Sequence, residues 1–221
     1  MMKRIFIIVL GALLISVFGS TPVDADGTQV SQADVIVFQA AGDVGGGVLT
    51  PGDMFPPTSS GHAILRRKDD TINLEIRTSG LPPGAYTIWW VVWNNPDGCE
   101  GPCGEDDLFS ETGENSVFWA GYDIVTGNGK GNFTASYTNG DPRGEDGEQN
   151  IIDLGFGVDP ATAEVHNIIK YHGPASEDPD VLFDQLYTLL GSCDQGANAL
   201  DLGFPFGVQC FDPQAVVHPL P

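Results

Sequence analysis

The run Tyr86-Thr87-Ile88-Trp89-Trp90-Val91-Val92-Trp93 constrains the fold more than any other part of the chain. Every residue in it is aromatic or β-branched, and its apolar side chains fall at both odd and even positions. A strand of this kind buries both faces, so it belongs at the centre of a sandwich or barrel wall. Thr71 to Arg77 behaves differently. There Ile72, Leu74 and Ile76 point one way while Asn73, Glu75 and Arg77 point the other, which describes a sheet with one wet face and hence antiparallel pairing.

Around these two anchors the pattern is β throughout. Val35 to Phe38 reads as a first strand after a frayed stretch at 26–33. His62 to Arg66 pairs with Thr71 to Arg77 through the turn Lys68-Asp69-Asp70. Further strands are expected at Ala85–Trp93, Ser116–Val125, Gly131–Thr138, Ala163–His172 and Val208–Val217. Asp178 to Leu190 carries Val181, Leu182, Leu186 and Leu189 at helical spacing and predicts one short helix. Glycine and proline are scattered as turn residues and form no repeat. The triple glycine Gly45-Gly46-Gly47 is followed by no Lys-Ser/Thr pair, so it is not a phosphate loop. The expected fold is all-β: a Greek-key antiparallel β-sandwich or flattened barrel with one short helix and two disulfides.

The N-terminus reads as an export signal. Lys3 and Arg4 precede the uncharged apolar run Ile5 to Phe18, and Val23-Asp24-Ala25 offers small residues for cleavage. That run is shorter than the roughly twenty residues a membrane-spanning helix needs. Residues 1–25 are therefore read as a signal peptide and 26–221 as a single β domain, secreted to the extracellular space or periplasm, with no transmembrane segment after cleavage. Processing leaves 7 basic against 29 acidic residues, a formal charge of −22. Such a surface repels phosphate backbones and anionic lipid, which argues against nucleic acid as a partner.

Four cysteines in an exported chain, Cys99, Cys103, Cys193 and Cys210, read as two disulfides with three possible pairings. The turn Glu100-Gly101-Pro102 favours Cys99–Cys103, which leaves Cys193–Cys210, a closure worth about 3 kcal/mol on the chain-entropy model. A zinc site on the four thiolates is the rival. It lacks a second short-spaced pair, and its compartment is oxidising.

Several long motifs are distinctive: Ser79-Gly80-Leu81-Pro82-Pro83-Gly84-Ala85-Tyr86, running on through Trp93-Asn94-Asn95-Pro96; Ala163-Glu164-Val165-His166; His172-Gly173-Pro174; and Cys210-Phe211-Asp212-Pro213-Gln214 to His218. Together they resemble a family of secreted bacterial and archaeal β-sandwich proteins with no assigned activity. That resemblance implies secretion and a β fold. A weaker likeness is to CHRD domains and superoxide-dismutase-like sandwiches. The dense His-x-His pattern of copper-zinc dismutases is missing, so that activity does not carry over.

Candidate chemistry lies in three groups. His62, His166, His172 and His218 invite a copper or zinc reading. His166 and His172 share a strand face but stand roughly 20 Å apart at about 3.3 Å per residue, so each needs a ligand from elsewhere. Glu164 is the carboxylate partner of His166, in a metal site or in a structural Glu–His pair beside the tryptophan strand. Asp141, Glu145, Asp146 and Glu148, with Asn150 and nearby glycines, supply hard oxygen donors suited to calcium, although their order is not that of an EF-hand. Glu105, Asp106 and Asp107 form a second acidic cluster. Trp89 and Trp93 share a face and either line a carbohydrate groove or belong to a doubly buried strand. The catalytic motifs Gly-x-Ser-x-Gly and His-Glu-x-x-His are not in the sequence. The reading is an exported, non-catalytic binding or structural module, with an extracellular ligand or envelope component as partner. A metal-binding protein and a carboxylate hydrolase are the alternatives.

Overall fold

The computed structural model describes residues 23–37, 59–99, 103–104, 107–108, 111–144, 148–153, 157–191, 193, 211–218 and 220. Nine strands, β1 (Gln29–Val37), β2 (Ser59–Lys68), β3 (Thr71–Thr78), β4 (Gly84–Trp93), β5 (Asn115–Val125), β6 (Gly131–Thr138), β7 (Asn150–Asp153), β8 (Glu164–Tyr171) and β9 (Phe211–His218), form one sheet. Among the described residues one α-helix, α1 (Pro179–Tyr187), lies between β8 and β9 in sequence, and two single-turn 3-10 helices flank the loop after β4. The strand order is β6-β3-β2-β1-β9-β8-β4-β5-β7, and every neighbouring pair is antiparallel.

That order forces the sheet to curl. Strands β5 and β6 are joined through the short turn Thr126–Lys130, yet seven strand spacings separate them in the ladder. Laid flat, that separation is about 34 Å, whereas the connection reaches about 21 Å at most. The sheet therefore rolls into a half-barrel that brings β6 back against β5. The backbone N–H of Asn132 donates to Asp123 Oδ2 across this seam. In the turn, Gly129 takes a φ of 66° that an L side chain rarely adopts.

Rolling divides each strand into an inner and an outer face. The inner core collects Ala63 and Leu65 of β2, Ile72, Leu74 and Ile76 of β3, Tyr86, Ile88, Trp90 and Val92 of β4, Phe133 of β6, and Val165 and Ile169 of β8. A second cluster on the outer face of β4 packs Trp89, Val91 and Trp93 against Cys103, Leu108, Ile152, Ile168 and Ala215. All ten residues of β4 are buried, as a run apolar on both faces requires. On the other half, β3 keeps its alternation, with Asn73 and Arg77 exposed.

Three sequence expectations need correction. Residues 29–33 form the start of β1 and are not frayed: Gln29 to Ala33 pair with Arg67 to Ala63. Their polarity hid the strand, because Gln32 and Asp34 face water while Ser31 serves a buried arginine. Strand β7 was not anticipated, since four residues at a sheet edge are too few to show alternation. Helix α1 stops at Tyr187 instead of Leu190. It begins where the Asp178 side chain accepts from the N–H groups of Asp180 and Val181, with Pro179 in the first turn.

The Cys99–Cys103 disulfide is formed. The other expected pair reaches Cys210, which lies outside the described residues. Hydrogen bonding runs through one continuous sheet, not through two separate ones. Among the described residues no helix is long and apolar enough to cross a membrane.

Candidate functional site

The four histidines do not converge. His62 is exposed on β2, opposite Asp34 of β1 and Arg77 of β3. His166 sits on the outer face of β8, where its Nε2 lies 2.7 Å from Glu164 Oε1. The Trp93 ring meets it edge-on at 4.6 Å, and Trp93 is the register partner of Glu164. Glu164 and His166 thus lie paired beside the tryptophan strand.

His172, just past β8, is held on both sides. Its Nδ1 lies 2.9 Å from the Gly191 carbonyl, which can only accept, so Nδ1 carries the proton. Nε2 then accepts from the Thr87 hydroxyl at 2.7 Å, and Thr87 Oγ1 in turn accepts from Trp89 Nε1 at 2.8 Å. Burial is the main force that lowers the His172 pKa to about 4, with the Lys170 charge adding to it. This chain of bonds satisfies a neutral imidazole completely and leaves no lone pair for a metal.

His218 lies at the end of β9 opposite Val165 of β8, whose side chain belongs to the inner core. It therefore points into the half-barrel, away from His166. Among the described residues no group of three or more histidine, cysteine or carboxylate side chains is gathered to hold a metal ion.

The acidic loop is described in part. Glu145 and Asp146 lie outside the described residues, as do Glu105 and Asp106. Asp141 Oδ2 accepts from the Thr138 N–H, a turn-closing role. Glu148 is exposed, and its carbonyl accepts from Leu189 N–H. Arg143, from the same loop, brings in a positive charge. It lies over the Phe118 and Tyr137 rings, donates to Ser116 Oγ and pairs with Asp153 at 3.3 Å.

Trp89 and Trp93 are 2 % and 0 % exposed, so neither presents a ring face to a ligand. The aromatic surface lies elsewhere, where α1 crosses β5. A column of rings runs from Trp119 to Tyr187 (5.4 Å, 23° between planes) and on to Phe183 (4.6 Å, 21°). Tyr122 flanks Tyr187 at 5.0 Å, and their hydroxyls share a hydrogen bond that, with burial, raises the Tyr187 pKa. Trp119 Nε1 donates to the Leu186 carbonyl and ties the column to the helix. The outer end is open: Phe183 is 57 % exposed and Tyr122 45 %, with Ile124 and Val181 also exposed.

A β-bulge makes this face. Ile88 pairs with Gly121 and Trp89 with Trp119, so Ala120 is an extra residue in β5. Without it, residues 119 and 122 would project to opposite sides of the sheet. With it, both rings are on the outer face under α1. Phe183 and Tyr187 are four apart on the helix and lie one above the other. Asp180 and Asp184 each stand three residues before one of those rings, a spacing that makes them neighbours on the helix surface.

A comparison of the chain with protein-family models, curated proteins and solved structures found no match.

Proposed function

We propose that this chain is an exported, non-catalytic binding module of the extracellular space or envelope, and that it engages a cationic ligand through the Trp119–Tyr187–Phe183 column. The observation that carries this reading is the open Phe183 ring, on a helix that also carries Asp180 and Asp184. A folded domain gains by burying a phenylalanine, and a stacked column ending in an exposed ring is a ready surface for a partner. An ammonium or guanidinium over such a ring is held by the ring's quadrupole, and Asp180 and Asp184 add charge attraction. A net charge of −22 after signal removal draws basic partners toward the whole surface. The facing halves of the curled sheet support a flattened-barrel description. A Cys193–Cys210 bridge, on this reading, ties the segment after α1 to β9.

The test is titration of the mature protein with a short oligo-arginine peptide, followed by aromatic fluorescence at two salt concentrations. Phe183→Ala should weaken binding about tenfold, within the range of a cation–π contact, while leaving the unfolding midpoint nearly unchanged. Equal affinity of the variant and the parent protein would remove the column from the binding site.

A further inference from the structure

The inner face of the half-barrel is mostly apolar, with buried Asn167 in its middle and the Thr78–Gln214 pair toward one end, and it holds two ionisable side chains, Arg67 at 2 % exposed and His218 at 0 %. Arg67 projects inward from β2. Its Nη1 donates to Ser31 Oγ of β1 at 3.0 Å, and its Nη2 donates to the carbonyl of Ala163, just before β8, at 3.2 Å. Both acceptors are neutral. No salt bridge among the described residues includes Arg67. The guanidinium reaches the start of β8, next to Val165, whose register partner is His218.

Among the described residues, four buried atoms here have no hydrogen-bond partner: Arg67 Nε, both ring nitrogens of His218, and Gln29 Oε1. Gln29 is the register partner of Arg67, so those two lie side by side, and the Arg67 guanidinium reaches toward His218 through the start of β8. Buried polar groups in folded proteins are almost always hydrogen-bonded, so an orphaned set of this size implies a bound non-protein species. A buried guanidinium without a carboxylate further specifies its charge. An anion accepts from Arg67 Nε–H and from whichever His218 nitrogen carries the proton, and it neutralises the cation in a low-dielectric interior. A water accompanying it can donate to Gln29 Oε1.

The geometry points to a buried site for a small monovalent anion, a halide or a formate-sized carboxylate, held between Arg67 and His218 at the β1–β2–β9 end of the half-barrel. This site is separate from the aromatic column on the outer face. An interior that accepts one small anion while the exterior is strongly acidic selects by size and by the buried Arg67 cation.

Salt also stabilises any highly acidic fold by screening its self-repulsion, so ionic strength must be held constant. The mature protein is unfolded thermally in sodium gluconate, whose anion is too large for the interior. Chloride or formate then replaces gluconate at constant total concentration. The expected result is a saturable rise of a few degrees in the midpoint with chloride or formate, as a ligand bound only by the folded state produces. Arg67→Met should abolish the rise. Because that variant can fail to fold, the parent protein is also crystallised with bromide, and an anomalous peak within hydrogen-bond distance of Arg67 Nε and the His218 ring is expected. Saturable stabilisation by chloride with no formate effect identifies a halide site; the reverse identifies a carboxylate site. Midpoints that do not change on exchange, together with only a water or no peak between Arg67 and His218, would overturn the proposal.

Discussion

Lowering the pH from 8 to 5.5 should destabilise this protein, against the trend expected from its acidity alone. The cause is two buried, neutral imidazoles. Burial, with a smaller contribution from neighbouring positive charge, lowers the pKa of His172 to about 4 and of His218 to about 3, from an ordinary value of 6.5. The unfolded chain takes up these protons near pH 6.5 and the folded chain does not, so stability is full above 6.5 and falls as pH drops toward the folded values. At pH 5.5 each group contributes a loss of about 1.4 kcal/mol relative to pH 8, or about 3 kcal/mol together. Carboxylate protonation, which would relieve self-repulsion and act the other way, belongs mostly below pH 5. The measurement is urea unfolding at both pH values in chloride-free buffer, because an anion beside His218 would favour its protonated form. His172→Asn and His218→Leu should each remove about half of the difference. A parent protein equally stable at both values, or variants that keep the full difference, would show that these imidazoles are not held neutral.

Two further outcomes test the local architecture. Thr87→Val keeps the side-chain shape but leaves Trp89 Nε1 and His172 Nε2 without their shared hydroxyl, and should cost about 2–3 kcal/mol in urea unfolding. Asp178→Ala removes the side-chain acceptor at the start of α1 and should cost about 1 kcal/mol. The same change should weaken peptide binding at the Phe183 column, since it loosens the helix that carries Phe183 and Tyr187.

Much of the strand layout was legible because side-chain alternation is a local property. Ile72, Leu74 and Ile76 mark the inner face of β3 by themselves, and the apolar run from Tyr86 to Trp93 announces a strand with protein on both sides. Glu164 and His166 were legible as a pair for the same reason, being two residues apart on one strand. The binding face was not. Its rings come from β5 and α1, more than fifty residues apart, and two of them share a side only because Ala120 bulges. The tryptophans most conspicuous in the sequence were the ones the fold buried.

The amino-acid sequence alone determined the antiparallel β class, most strand positions, the helix with its Asp178-Pro179 start and the double burial of β4. Each follows from contacts within a few residues or from the period of one strand. Only the tertiary structure decided that the strands form one curled sheet, that the histidines gather into no three-ligand group among the described residues, and that Arg67 lies buried near His218 with no salt bridge to it among those residues. Those outcomes depend on strand order and on how far the sheet rolls, which hydrophobic periodicity does not encode.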